Sequence, residues 1–363
     1  MGLLKKIFTK RFQSDLYRNF WDWFQKNEKD FHTVIKNKGN IEEAFFNKLA
    51  PKLNEVSKDI FYLTGMSNDN TVELIFTAEG VIKNIVFIEE LVAAAPKIKG
   101  WKFTALKPAL DIKNVVINMS GYSFNSENIW FYENGDDEYP DEINISIVHD
   151  DLVEDNWQAI TNGVYVFLDN YIGELNFATT IDNMKVIRKA LANRPLIPIE
   201  KLKTYLKWRE KEFVEKYDGI RHSSENDQYA TLKVALKNGN SLIATMNMDL
   251  LEWDGKSSHP WIGEFEIKYK GEYGGGMPDK TVAELLNVIE EKICEDLKDA
   301  DGYLNVGRQT AESIREIYFA CKDFRKPSKV FDKVKRHFDD KFEISYNIYK
   351  DKYWRSFNRF KQN

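Results

Sequence analysis

The apolar residues in the second half of the chain switch between strand spacing and helix spacing in an order that few folds share. WIGEFEIKYK alternates apolar and polar residues over 261–270, as a half-buried strand does. The pattern then predicts a helix at about 279–297, strands at 302–309 and 313–321, a helix at 329–338 and a strand at 342–349. This βαββαβ order is typical of the ferredoxin-like arrangement, in which the helices cover one face of an antiparallel sheet.

Two more strand patterns precede this region. YATLKVAL and SLIATMNM flank the dipeptide Asn238-Gly239, which is a strong short-range signal for a hairpin. We therefore expect an α+β protein whose second domain is ferredoxin-like and carries an extra N-terminal hairpin.

The first half of the chain has a looser pattern. Apolar spacing indicates leading helices over 14–60, after which TVELIFTAEG, IVFIEELVAAAP and WKFTAL predict a βαβ unit. Further strands are expected at 114–118, 129–133, 143–149 and 174–181, and a helix is expected at 154–170. Together these elements predict a looser α/β sandwich behind leading helices.

The length and the loop signals favour two domains. The chain has 363 residues, and 43% of them are hydrophobic, which excludes a mostly disordered protein. RHSSENDQ at 221–228 is polar and rich in turn residues, so it is the strongest boundary signal. We predict an N-terminal α/β domain at 1–198, a charged linker helix with a boundary loop at 199–225, and a C-terminal ferredoxin-like domain at 226–363.

Charge is strongly segregated along the chain. The net charge is only −5, yet residues 114–184 hold fourteen carboxylates and no Lys or Arg. Residues 185–217 and 322–363 are basic. A field polarised in this way can steer a charged partner or hold two domains face to face, whereas the plainer interpretation is a solvated acidic surface that aids solubility.

One group of residues in the second domain is a candidate contact surface for a partner or a ligand. Arg308 and Arg315 lie on adjacent predicted strands and can engage a carboxylate or phosphate. Three glycines precede a predicted helix and could let a partner approach closely. The candidate set is Arg308, Thr310, Arg315, Gly274, Gly275 and Gly276. Structural alternatives are a cross-strand pair for the arginines, and a flexible connection capped by Asp279 or Thr281 for the glycines.

Signals for catalysis, metals and cofactors are weak. The five histidines are dispersed, and the acidic loop GDDEYPDE at 135–142 lacks the residue spacing of a calcium loop. No nucleophile or phosphate-loop motif is present, so we assign no catalytic residue, no metal site and no cofactor. Two cysteines in the whole chain suit a reducing compartment, which predicts a cytoplasmic location.

Several short segments of the sequence resemble those of a known group of proteins. ELIFTAEG, EELVAAAPKIKGWKFTALKP and VYVFLDNYIGE stand in the first half, and YLNVGRQT, REIYFACKD and DKYWRSF stand in the second. Together they resemble uncharacterised bacterial proteins that carry domain-of-unknown-function family 695 in their second half. That region also resembles, distantly, the protein inhibitor of ribonuclease E of the regulator B type, which is ferredoxin-like and binds its target enzyme. The resemblance implies a protein partner and a binding or regulatory role, and it transfers no catalytic residue.

Two other functions stay open. An enzyme that hydrolyses or binds a small ligand would need Asp169, Glu174, Arg308 and Arg315 to converge in an interdomain cleft. A nucleic-acid binder would use the aromatic and basic residues of YWRSFNRFK at 353–361, although helix packing explains their three-residue spacing better.

The beginning of the chain carries a basic amphipathic pattern. The apolar residues of its first turns fall on one face at helical spacing: Leu3, Leu4, Ile7 and Phe8. An ordinary first helix is favoured over a membrane anchor, because a short basic amphipathic segment binds membranes weakly. No stretch is long and apolar enough to predict a transmembrane helix.

Overall fold

A computed structural model describes residues 2–271 and 275–361 of the protein, with side chains from residue 15 onward. The chain is a mixed α/β protein with several small sheets. It divides into two compact units, each described below by itself. Unit 1 comprises Met1–Gly135 and Ile143–Lys207, and unit 2 comprises Asp136–Glu142 and Trp208–Asn363.

The first part of unit 1 is a small sheet with helices on one face. Its elements are α1 (Gly2–Lys36), a π-helical turn (Glu42–Phe46), α2 (Asn47–Val56), β1 (Phe61–Asn68), β2 (Thr71–Thr77), α3 (Ile82–Ala93) and β3 (Trp101–Ala105). The strand order is β1-β2-β3, with β1 antiparallel and β3 parallel to β2. The predicted leading helices and βαβ unit are therefore confirmed, whereas β1 was not anticipated from the residue pattern.

The two faces of this sheet differ in burial. On the helix side, Leu74 and Phe76 of β2 are fully buried, and Phe76 packs edge-on against Trp21 of α1. On the opposite side, Phe61 and Leu63 of β1 are 51% and 46% exposed. Because side chains alternate along a strand, this second face is open while the first forms a core.

The second part of unit 1 is a four-stranded sheet covered by helices. Its elements are β4 (Ile117–Met119), β5 (Tyr122–Phe124), β6 (Ile129–Glu133), β7 (Asn144–His149), α4 (Trp157–Ile172), α5 (Glu174–Thr179), β8 (Asn183–Ile187), β9 (Ile197–Pro198) and the first residues of α6 (Leu202–Tyr217), which belongs to unit 2 from Trp208 onward. The sheet order is β8-β7-β6-β9, and β4 pairs with β5 in a separate hairpin. Phe124, Ile145, Ile160 and Phe167 belong to the buried core of this part.

One prediction in this region is wrong, and another is confirmed only in part. The segment 174–181 was expected to be a strand, but its first six residues form α5. Gly173, with φ +83°, turns the chain from α4 straight into α5, and Phe177 and Ile181 then pack against the core four residues apart. The strand expected at 114–118 is only the short β4, preceded by the 3₁₀ turn Ile112–Asn114. Local alternation could not reveal either outcome, because tertiary contacts decide both.

Unit 2 is built around one six-stranded antiparallel sheet. Its elements are β10 (Tyr229–Ala235), β11 (Ser241–Asn247), α7 (Met248–Glu252), β12 (Trp261–Lys268), α8 (Lys280–Asp296), β13 (Tyr303–Ala311), β14 (Ile314–Cys321), α9 (Arg325–Phe338), β15 (Glu343–Lys350) and the 3₁₀ helix Arg355–Phe360. The strand order is β10-β11-β13-β14-β12-β15. The predicted hairpin and the predicted succession of helices and strands from β12 to β15 are confirmed.

Both faces of the unit 2 sheet are covered. On one face, Phe265 and Phe319 pack against Phe331 of α9. On the other, Trp354, Phe357 and Phe360 of the chain end are buried in a second core. Their three-residue spacing matches the 3₁₀ helix, and their buried rings offer no face on which a nucleic-acid base could stack.

No helix among residues 2–271 and 275–361 has an apolar stretch long enough to cross a membrane. The side chains of Leu3, Leu4, Ile7 and Phe8 lie outside the part of the chain whose side chains are described.

Candidate functional site

Unit 1 contains an open groove between the exposed face of its first sheet and the helices α4 and α5. The groove encloses about 630 Å³, which is within the size range of ligand sites. Leu63 of β1 forms one wall, and Tyr165 and Val166 of α4 form another. These three side chains are 46%, 43% and 40% exposed, so the groove presents apolar surface to solvent. Phe177 of α5 contributes further apolar lining.

A cluster of charged residues lies in the same groove. The ammonium of Lys107 is 2.7 Å from Asp169 Oδ2 and 3.4 Å from Glu79 Oε1. Burial raises the pKa of Asp169 despite the hydrogen bond from Lys107. Burial alone would lower the pKa of Lys107, but Asp169, Glu79 and Glu174 together raise it. Both raised pKa values favour the protonated forms of Asp169 and Lys107, as expected where three carboxylates surround one ammonium.

Glu174 is the buried member of this cluster and has a structural role. Its carboxylate accepts hydrogen bonds from the Thr77 hydroxyl (2.7 Å), the Ala78 amide (2.8 Å) and the Lys107 amide (3.0 Å). These donors lie at the end of β2 and just beyond β3, whereas Glu174 begins α5. The carboxylate therefore ties the two walls of the groove together, and it is already saturated with donors.

The position of Glu174 depends on the glycine before it. Gly173 has φ +83°, a conformation that L side chains rarely adopt. A Cβ atom at this position would lie 2.8 Å from the backbone nitrogen of Ala109. Only glycine lets the chain turn here so closely against its neighbour, and this turn brings Glu174 beneath Thr77.

The sequence-predicted residues divide between the two units. Asp169 and Glu174 both line the groove in unit 1. Arg308 and Arg315 belong to unit 2. Sequence reasoning missed Lys107, because a single lysine between predicted elements gives no local signal.

Arg308, Thr310 and Arg315 lie on the α8 side of the unit 2 sheet, each with a partner inside the unit. Arg308 forms an ion pair with Glu290 of α8 at 2.8 Å. Arg315 is buried and donates to the Thr310 hydroxyl at 3.0 Å and to Asn287 at 2.8 Å. The geometry matches the cross-strand alternative, because Thr310 and Arg315 are paired in the β13–β14 ladder. A partner contact at these residues stays a prediction.

The predicted glycine segment is attached to the turn between β13 and β14. Gly275 and Gly276 have positive φ, and their carbonyls accept hydrogen bonds from the amides of Glu312 and Ser313. Gly274 lies outside the described residues. Of the two caps considered for α8, Asp279 is the one observed, and it accepts from the Val282 amide at 2.8 Å.

The acidic loop 136–142 turns toward basic residues of unit 2. Asp141 accepts from Lys216 (2.8 Å), Tyr217 (2.6 Å) and Tyr353 (2.8 Å). Burial alone would raise the pKa of Asp141, but these three donors lower it below its ordinary value. In unit 1, other members of the acidic segment also have basic neighbours, as in the Lys189–Asp150 ion pair at 2.8 Å. Part of the segregated charge is therefore neutralised inside each unit.

A second titratable cluster lies on the unit 2 sheet. Burial and the adjacent Glu316 carboxylate raise the pKa of Glu264 to about 7. The Tyr318 hydroxyl donates to Glu316 at 2.9 Å, and Gln309 also donates to Glu316. Across the described ranges, no three His, Cys, Asp or Glu side chains come together in a way that would hold a metal ion.

Comparison with known proteins identifies part of unit 2. Residues 231–360 match the model of a family of unknown function, DUF695. No match was found among curated proteins or among solved structures. The matched range begins within β10 and ends at the last residue of the 3₁₀ helix, so it covers the six-stranded sheet with its helices and none of unit 1.

Proposed function

We propose that this chain is a binding or regulatory protein and that the groove of unit 1 receives a polypeptide partner. One observation carries the proposal: Leu63, Tyr165 and Val166 expose apolar surface directly beside the carboxylates of Glu79 and Asp169. Exposed apolar patches rimmed by polar groups are typical of interaction sites. Removing these three side chains from water would supply affinity.

The charge of the groove favours a basic partner. Lys107 is the groove's single ammonium among the lining residues, and it is already paired with Asp169 and Glu79. The Glu79 side chain is half exposed, so its carboxylate can accept another donor from a bound cationic side chain. Charge complementarity of this kind contributes mainly to specificity and to the rate of association.

The proposal is tested with synthetic peptides and the full chain. Fluorescence anisotropy would compare a labelled peptide of alternating Val and Lys with one of alternating Val and Glu. We expect the Lys peptide to bind, and the double variant Leu63→Ser, Val166→Ser to weaken it by roughly tenfold or more. Val214→Ser, which alters an exposed valine of unit 2, is the matched control and should leave binding unchanged. Absence of binding by both peptides would count against the proposal.

A second candidate is an enzyme that acts on a small ligand in the same groove. The observation that favours it is the raised pKa of Asp169, because a carboxyl group with a raised pKa stays protonated closer to neutral pH and is then available as a general acid. Asp169→Asn separates the two functions. It would abolish turnover of a substrate, whereas peptide binding would lose only one charge contact.

The architecture of unit 2 supports a finer proposal. Its strands β13-β14-β12-β15 follow the order second, third, first, fourth of a βαββαβ unit, and α8 and α9 pack against each other. We propose that these elements are a ferredoxin-like core extended by the β10–β11 hairpin. Unpaired Cys294 and Cys321 favour a reducing, cytoplasmic location. The domain limits at 198 and 226 stay predictions.

A further inference from the structure

We infer that the partner binds as an added β-strand along the free edge of β1, with basic side chains that enter the groove. This inference rests on the proposed function, because it specifies how the same groove is occupied. It follows from three features of β1: its place in the sheet, its residue composition and the direction of its side chains.

The place of β1 leaves one of its edges free. In the described part of the chain, β1 pairs only with β2 and lies at the end of the order β1-β2-β3. Pairing is regular from Phe61 to Met66, and the irregularity in register comes only between Met66 and Asn68. A regular edge presents backbone N–H and C=O groups that another strand can use.

The composition of β1 is unusual for an edge strand. FYLTGMSN has no charged residue and no proline over eight residues. Edge strands ordinarily carry lysines, prolines or inward-pointing charges, because these prevent unwanted pairing. The edge strand β10 of unit 2 follows this rule with Lys233. The absence of such protection on β1 is explained if pairing with a partner is its function.

The side chains of β1 connect its edge to the groove. Phe61 and Leu63 are two residues apart and therefore lie on the same face, and Leu63 lines the groove. A strand added to β1 would lie about 4.8 Å away, with every second side chain on this face. Those side chains would lie beside Leu63, which lines the groove together with Glu79.

The negative charge of the groove determines which kind of strand can pair with the edge of β1. A second copy of this chain, paired edge to edge, would bring two acidic grooves together, and the like charges would repel. It would also bring an uncharged strand that has no partner for Glu79 or Asp169. A strand from another protein with alternating basic residues would pair with the backbone of β1 and bring positive charge to the carboxylates of the groove.

The test uses backbone methylation of the alternating Val and Lys peptide, because methylation removes N–H donors from one edge of a strand. One peptide is methylated on the Lys amides and the other on the Val amides. We expect one isomer to lose roughly tenfold or more in affinity for the full chain while the other retains it. Hydrogen exchange should show slower exchange of the backbone amides of 61–66 when the retained peptide is bound.

The outcomes distinguish the inference from the proposed function. If both methylated peptides bind like the parent, the groove is occupied through side chains alone, and strand addition is overturned. If the unmethylated peptide does not bind, the proposed function itself fails. If the full chain is dimeric in sedimentation and the peptide separates the dimer, the occupant of the edge is a second copy, which also overturns the inference.

The charge requirement has its own matched pair of variants. Glu79→Gln removes one negative charge from the groove, so it should weaken binding of the Lys peptide several-fold. The affinity for a peptide of alternating Val and Ser should not change. Glu127→Gln removes an exposed carboxylate of unit 1 that does not line the groove, and it should change neither affinity. Equal effects of the two variants would show that only the overall charge matters, which contradicts a basic side chain beside Glu79.

Discussion

The folded structure changes the protonation of one carboxyl group in unit 2, that of Glu264. Glu264 stands on β12, with Glu316 and Tyr318 on the neighbouring strand β14. Burial and the Glu316 charge raise its pKa to about 7, Glu266 adds to the shift, and Arg359 opposes it. Neutral pH therefore lies within the titration of this carboxyl group.

The raised pKa predicts a specific dependence of stability on pH. Between its ordinary pKa of 4.5 and its folded pKa of about 7, Glu264 binds more protons in the folded chain than in the unfolded chain. The free energy of unfolding should therefore fall as the pH rises through this window and level off above it. Glu264→Gln should remove that slope and stabilise unit 2 at about pH 8 by ~1–2 kcal/mol.

Urea unfolding at several pH values measures this effect. Glu225→Gln, an exposed carboxylate of unit 2, serves as the control and should leave the pH profile unchanged. A Glu264→Gln profile that is parallel to that of the unsubstituted protein would show that Glu264 does not titrate in this window.

At the scale of elements, most helices and strands of unit 2 follow from residue spacing, but the irregularities within them do not. The ladder between β13 and β14 shifts register between Asn305 and Gly307. Gly307 has φ +141°, and a Cβ atom there would lie 2.4 Å from the carbonyl oxygen of Thr245 on β11. The irregularity lets β11 approach β13 closely, which requires glycine.

The close approach at Gly307 predicts a large effect from a single methyl group. Gly307→Ala should destabilise unit 2 by about 2 kcal/mol or more, because both the backbone conformation and the contact with Thr245 oppose it. Gly65→Ala is the matched strand control, since a Cβ atom at Gly65 meets nothing within 4 Å, and it should change stability by less than about 0.5 kcal/mol. Denaturant midpoints of the two variants give the comparison, and equal midpoints would contradict the steric account.

Chain segments that are far apart in sequence neutralise one another's charge when the protein folds. Asp141 meets Lys216, Tyr217 and Tyr353 inside unit 2, and Glu142 meets Arg355 there at 2.5 Å. The charge segregation visible along the chain is thus partly a record of which segments pair on folding. The segregation of charge along the sequence therefore describes the surface charge of the folded protein less well.

Replacement of Asp141 should loosen the acidic loop 136–142. Asp141→Asn removes the charge that Lys216 and two tyrosine hydroxyls contact, so backbone amides of 136–142 should exchange faster in hydrogen-exchange experiments. Because the pKa of Asp141 is lowered in the fold, its contribution to stability is present above its ordinary pKa and is lost as the pH falls through the folded pKa. Asp137→Asn, an exposed neighbour in the same loop, should have no such effect. Equal exchange rates in the two variants would contradict the role of Asp141.

The candidate groove shows where prediction from sequence stops. Asp169 and Glu174 were recognised as acidic residues of interest, but their different roles were not foreseen. Glu174 accepts from the Thr77 hydroxyl and from the backbone amides of Ala78 and Lys107, whereas Asp169 faces Lys107 in the open groove. Nothing local distinguishes these two carboxylates, because their partners lie about sixty to a hundred residues away along the chain.

Periodicity and composition are local properties, so they predict the mixed α/β class, the helix and strand order from β10 to β15 and the segregation of charge. They do not reveal that β1 is a strand at a sheet edge, that 174–179 is helical, or that α4 faces the open side of the first sheet. Each of these depends on contacts between distant segments, and burial and pairing at such contacts outweigh local preference. The groove and its charge exist only after those contacts have formed.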